Sequence, residues 1–310
     1  MPTIGKRRIA VLDAPSNLGL RPPAKGAVPG VYKLPWALRR HGLIERLGAI
    51  DAGAVVPPRY LSQWTPGTVR NEQAIATYSH ALAERLAELR KDDVFPLVLG
   101  GDCSIILGNL LALRREGRFG LAYLDGHSDF RHPGNSDRVG AAAGEDLALV
   151  TGRGDALAQL DRRGALVRDE DVVAIGMRAN DSYVPEMRRA GIKVFNVDDL
   201  RPDPEASLTE MLPLLERKKV DGFWLHLDVD VLDAEIMPAV DSPDPDGLTW
   251  AELDPIVQAL VRSPRIAGME LTIFDPDLDL CRVWFARRPA NVLAPGRAWR
   301  GRSWPALRSQ

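Results

Sequence analysis

Short apolar runs alternate with amphipathic stretches along almost the whole chain, and this alternation limits the possible folds more than any other feature. Strands are expected at residues 8–12, 95–99, 119–124, 172–175, 193–197, 223–230 and 266–273. Helices are expected at 35–47, 71–89, 104–115, 208–217 and 250–262. A strand that returns through a helix lies parallel to the one before it. The strand runs are continuously apolar rather than alternating, as they are when helices cover both faces of a sheet. The expected architecture is therefore α/β: one open, three-layer α/β/α domain spanning residues 1–310. A (β/α)₈ barrel is the alternative. The proline- and glycine-rich stretch 14–35 reads as a surface loop over the site.

Charge is nearly balanced, with 40 Lys and Arg against 42 Asp and Glu among 310 residues. No strong field for nucleic acid or an acidic membrane follows from that. The arginine-rich end, 287–308, is explained by solvated arginines and packing stems. Two cysteines, Cys103 and Cys281, are too few for a disulfide framework. The longest nearly uncharged run, 94–113, carries Gly100-Gly101-Asp102 at its centre, so it reads as strand, turn and helix rather than a membrane span. No apolar signal core follows the N-terminus, and the expected location is cytoplasmic.

Open parallel sheets bind ligands at the carboxyl ends of their strands. Two such ends are crowded with ligand-type residues. One reads Tyr123-Leu124-Asp125-Gly126-His127-Ser128-Asp129, the other Trp224-Leu225-His226-Leu227-Asp228-Val229-Asp230. If the second stays a regular strand, alternation puts His226, Asp228 and Asp230 on one side, about 6–7 Å apart in succession. Carboxylates stacked in this way repel one another and resist desolvation, and a divalent cation removes that penalty. Any single Asp could instead be a helix cap or a solvated loop end. Five ligand-type residues in two strand-end clusters point to metal.

At these residues the sequence resembles the ureohydrolase superfamily, which includes arginase and agmatinase. The resemblance rests on Gly100-Gly101-Asp102-Cys103-Ser104, on Asp125-Gly126-His127-Ser128-Asp129 and on Leu227-Asp228-Val229-Asp230-Val231-Leu232-Asp233. Met237-Pro238-Ala239-Val240 leading to Gly247-Leu248-Thr249 extends it. It implies an arginase-like fold with a mainly parallel eight-stranded sheet. It also implies two manganese ions, hydrolysis of a linear guanidino or amidino C–N bond in a small-molecule substrate, and a homo-oligomer, trimer or hexamer. By the same resemblance Asp125 and Asp228 bridge the ions, Asp129 completes the first position, and His127 and Asp230 complete the second.

Three positions depart from the family pattern. Cys103 stands where a His ligand is expected. Ile273 stands where a Glu holds the guanidinium, with Glu270 three residues earlier where an Asp is usual. Ala143-Gly144 occupies the place of a His-Gly loop that moves protons in arginase. Cys103 is either a thiolate ligand, which would favour zinc, iron, cobalt or nickel, or a small buried hydrophobe beside a single-metal site. His226 is either a support for, or replacement of, a metal ligand, or a core histidine. His132 is a possible proton shuttle or a solvated loop residue. Arg131 and Asp181 are weighed as substrate contacts against surface roles.

The leading expectation is a binuclear hydrolase in which the ions lower the pKa of water and Asp129, helped by His132 or solvent, relays a proton to the leaving nitrogen. With Ile273 in place of Glu, an uncharged or modified guanidino, amidino or amide compound is the expected substrate. The alternatives are a single-metal, deacylase-like amidohydrolase and a catalytically silent partner subunit.

Overall fold

In the computed structural model, which describes residues 3–4 and 7–279, the chain forms β1 (Thr3–Ile4), β2 (Arg7–Ala14), α1 (Leu34–Arg40), α2 (Leu43–Leu47), β3 (Ile50–Ala54), α3 (Glu72–Arg90), β4 (Phe95–Gly100), α4 (Ile106–Glu116) and β5 (Phe119–Leu124). It continues with α5 (Asp146–Val150), β6 (Val172–Ile175), α6 (Val184–Ala190), β7 (Lys193–Phe195), α7 (Val197–Leu200), α8 (Pro204–Leu215), β8 (Gly222–Asp228), α9 (Trp250–Arg262) and β9 (Ile266–Thr272). Cys281 and the arginine-rich end lie outside the described residues.

The sheet order is β1-β2-β4-β9-β8-β5-β6-β7, with β3 also paired to β2. β1 pairs antiparallel, and the other eight strands are parallel. The expected parallel α/β architecture is present, and the barrel is not. β4, β8 and β9 are buried along their full length, because apolar clusters lie on both faces. α9 shows how the helices seat. Thr249 and Glu252 form a capping box at its start, and Leu253, Ile256, Val257, Leu260 and Val261 make the i, i+3, i+4, i+7, i+8 stripe that it buries.

Three details correct the sequence reading. The helix expected over 35–47 is broken at Gly42, whose φ of 72° starts a second helix. The stretch 14–35 is not a surface loop throughout: Ser16, Leu18, Leu20 and Val31 are buried. Ser16 is the reason the Gly-Gly-Asp motif needs its second glycine, since a Cβ on Gly101 would lie 1.7 Å from the Ser16 carbonyl oxygen. The third concerns β8, which ends at Asp228 instead of running on to Asp230.

The topology matters for the site. β8 and β9 insert between β4 and β5, so the carboxyl ends of β4, β9, β8 and β5 stand side by side. Register then aligns side chains across these strands: Val98 pairs with Glu270, Glu270 with His226, and His226 with Tyr123. Side chains in one register row share a face of the sheet. Glu270, His226 and Tyr123 are therefore neighbours by construction.

Candidate metal centre

Cys103 begins a short 3-10 turn after β4, capped by Asp102, whose carboxylate accepts from the Ser104 amide at 2.9 Å and the Ser16 hydroxyl at 2.6 Å. That cap fixes Cys103 in the sheet edge, where its thiol donates to Asp228 Oδ2 at 2.6 Å. Asp228 is itself the cap of the turn Val229–Val231: its Oδ1 accepts from the Asp230 amide at 2.8 Å. The turn replaces strand alternation as the device that places Asp230. It brings Asp230 Oδ2 to 3.0 Å from His127 Nδ1, while Oδ1 accepts from the Gly126 amide at 3.1 Å. A Cβ on Gly126 would lie 2.0 Å from Arg178 Nη1, so the Asp-Gly-His spacing follows from packing against that guanidinium. Buried Arg178 donates to the carbonyls of Asp230, Leu232 and Asp244, locking the turn to the loop that follows it.

Two groups of ligand-type atoms result, each with all members within 4.8 Å of one another. One is Cys103, His226 and Asp228; the other is Asp125, His127 and Asp230. Asp125 Oδ1 accepts from the His127 amide at 2.7 Å, but its Oδ2 is buried without a partner. His226 Nδ1 lies 2.8 Å from Glu270 Oε1, and its Nε2 is also buried without a partner. These two unpartnered atoms lie 3.9 Å apart. Leaving such a group unsatisfied costs about 1–3 kcal/mol, and a cation between them would satisfy both. The donor set of imidazole, carboxylate and thiol suits a divalent transition-metal ion.

The electrostatics agree. Burial, reinforced by Asp230, pushes the Asp125 carboxyl up to about 7. Burial and neighbouring carboxylates also raise Asp129, Asp146 and Asp228, so without a cation these acids resist ionising together. Burial opposes the charged form of His127, yet Asp230 prevails and its pKa rises to about 12. Burial and Asp228 raise the Cys103 thiol.

Of the remaining expected residues, Asp129 sits at φ 40°, which turns its chain away from the strand path. His132 is held by Glu186 Oε1 at 3.0 Å from Nε2 and by the Gly134 amide at Nδ1, so both nitrogens are engaged. Arg131 Nε donates to the Gly144 carbonyl at 3.0 Å, placing the guanidinium on the loop that carries Ala143. Asp181 accepts from the Ser128 and Tyr183 amides at 2.9 Å each, bracing the Asp129 loop. Glu270 holds His226 and also accepts from Asn109 on α4.

Sequence reasoning missed four participants. Thr272 lies 3.3 Å from the Cys103 sulfur. Asn109 is a polar residue within the apolar run of α4, a signal that was readable, and Asp146 starts α5 and accepts from the Tyr123 hydroxyl at 2.8 Å. Asp244 reaches His127 Nε2 at 3.1 Å and had no local signal. It also lines a cavity of about 460 Å³ with Arg178, Asn180, Val197 and Arg201.

Residues 27–286 match the family model of the arginase family. This chain belongs to the arginase family. An arginase of Bacillus caldovelox is 30% identical over 281 residues, covering 87% of this chain and 92% of that protein. An arginase of Staphylococcus aureus (strain MRSA252) is 29% identical over 287 residues, covering 88% and 92%. The crystal structure of arginase from Bacillus cereus superposes with a TM-score of 0.82 at 29% identity, covering 94% of this chain and 99% of that one. Arginase-family proteins are metal-dependent hydrolases of carbon–nitrogen bonds other than peptide bonds, and the chain is an enzyme of that class. No helix among the described residues is long and apolar enough to cross a membrane.

Proposed function

We propose that this chain is a binuclear hydrolase of an uncharged or modified guanidino, amidino or ureido compound. The observation that carries the metal reading is the pair of unpartnered, buried atoms, Asp125 Oδ2 and His226 Nε2, facing each other at 3.9 Å. Asp125, His127 and Asp230 would hold one ion, and Asp228, Asp129 and the groups around His226 the other. Two divalent ions, when bound, supply Lewis acidity toward water and toward the scissile carbon's substituents.

The chain's own residues do the rest. Asp244, against His127 Nε2, would fix the ring plane and leave Nδ1, beside Asp230, for the ion. Glu270 fixes His226 in the same way. Asp129 orients the attacking water and carries its proton to the leaving nitrogen. His132, tied to Glu186 and Gly134, leaves that transfer to Asp129 and solvent. Ile273 supports the substrate class: it is a buried, apolar residue directly after β9, and it offers no charge to a guanidinium. The cavity beside Asp244 provides Asn180 and Arg201 for the substrate's polar tail.

The test is release of ammonia, urea or amine from charged and neutral guanidino, amidino and ureido compounds by the chain loaded with manganese or zinc. Turnover favouring neutral compounds supports the proposal, and preference for a fully charged guanidinium overturns the substrate class. No turnover with any loaded metal favours a silent partner subunit. A homo-oligomer belongs to the same reading and is checked by light scattering.

A further inference from the structure

Cys103, His226 and Glu270 lie around one part of the centre. The His226 ring is entirely buried, stacked on Tyr123 with centroids 4.7 Å apart and planes 8° from parallel. Glu270 holds its Nδ1, and Asn109 holds the other Glu270 oxygen. Nδ1, donating to Glu270, leaves the Nε2 lone pair buried in the cluster with no partner. A carboxylate behind an imidazole is the usual support for a metal-ligating histidine. The Cys103 sulfur stands within the same 4.8 Å group, already against Asp228.

We propose that His226, Cys103 and Asp228 form a nitrogen–sulfur–oxygen site for a zinc-class ion, while Asp125, His127 and Asp230 form a nitrogen–oxygen site that accepts manganese. The inference rests on the binuclear reading and sharpens it into a mixed-metal centre. The physical reason is donor softness: a thiolate favours zinc, cobalt, nickel or ferrous iron over manganese more strongly than carboxylates do. Binding is coordination without redox change. The thiol proton leaves by way of the Asp228 carboxylate that accepts it, to solvent, and the sulfur lone pair takes the ion. Glu270 and Asn109 are positioning residues that act through His226.

The full chain, stripped of metal and titrated with cobalt(II), gives the test. A sulfur-to-cobalt charge-transfer band in the near ultraviolet is expected at the first equivalent. Cys103→Ser is expected to abolish the band while cobalt still binds. Glu270→Gln is expected to weaken the first equivalent by about 10–100-fold and keep the band at saturation. Metal counting after exposure to one equivalent of zinc in a large excess of manganese is expected to find one of each per chain. If two manganese ions bind and cobalt gives no thiolate band, the mixed centre is wrong and the binuclear reading stands. If no ion binds at either position, both fall. His226→Gln guards against a folding artefact: a folded variant, checked by circular dichroism, that binds the first cobalt as tightly as the parent also overturns the proposal.

Discussion

The two ligand groups of this centre are built by different means. Asp125, His127 and Asp230 come from the end of a strand, a loop and a turn, and their geometry depends on backbone amides: Gly126 N on Asp230, His127 N on Asp125. Cys103, His226 and Asp228 stand on or directly beside the sheet, and register sets them: His226 opposite Glu270 on one side and Tyr123 on the other. The first group includes a partly exposed histidine. The second is entirely buried. The contrast teaches that strands packed in register can by themselves gather a buried group of ligand-type side chains. There, neighbouring positions share a face, and a buried carboxylate can hold the imidazole.

The largest break in that comparison is expected at Asp228, which donates to one group and caps the turn that places Asp230 in the other. Asp228→Asn is expected to lower turnover by about 10³-fold or more, some 4 kcal/mol of barrier, and to empty both positions on metal counting. Removing metal from the unaltered chain comes next. At a metal concentration about 100-fold above Kd, each ion adds about 2.7 kcal/mol, so chelation of both is expected to lower the melting temperature by about 5–10 °C.

The pH dependence sharpens the same point. Asp125 has a folded carboxyl raised to about 7 from an ordinary 3.8. A raised carboxyl stabilises the metal-free fold fully below its unfolded value, and that contribution is lost as pH rises through the folded value. The melting gap between loaded and metal-free protein is therefore expected to widen from about pH 5 to pH 8, read by scanning calorimetry in matched buffers. A gap that narrows over this window would contradict the crowding of acids as the driving term. The smallest effect is expected at Asp244, which is half-exposed at the edge of the centre and holds only His127 Nε2. Asp244→Ala is expected to raise KM or weaken the second ion by less than about tenfold, within the range for supporting groups.

Much of this was legible in the residues. Continuous apolar strands gave the parallel sheet, and the two acidic strand ends gave the ligand groups, because local pattern decides both. What failed was geometry set at a distance. Strand alternation through Asp230 gave way to a turn, since the Asp228 carboxylate captures the Asp230 amide. β3 escaped notice because Ile50–Ala54 is short and partly exposed, with glycine inside it. Asp244 reaches His127 across 117 positions, held there by Arg178, and nothing local in its proline-rich loop marks it. Glu270 was readable as unusual, but its partner Asn109 lies 161 positions away on a helix.

The most direct test strips the purified chain with chelator, titrates it with manganese and zinc at about pH 8, and counts ions per chain by plasma mass spectrometry after dialysis. Two ions per folded chain are predicted, with Asp125→Asn reducing the count. A chain that stays folded, its acids intact, and retains neither ion would contradict the account at its root.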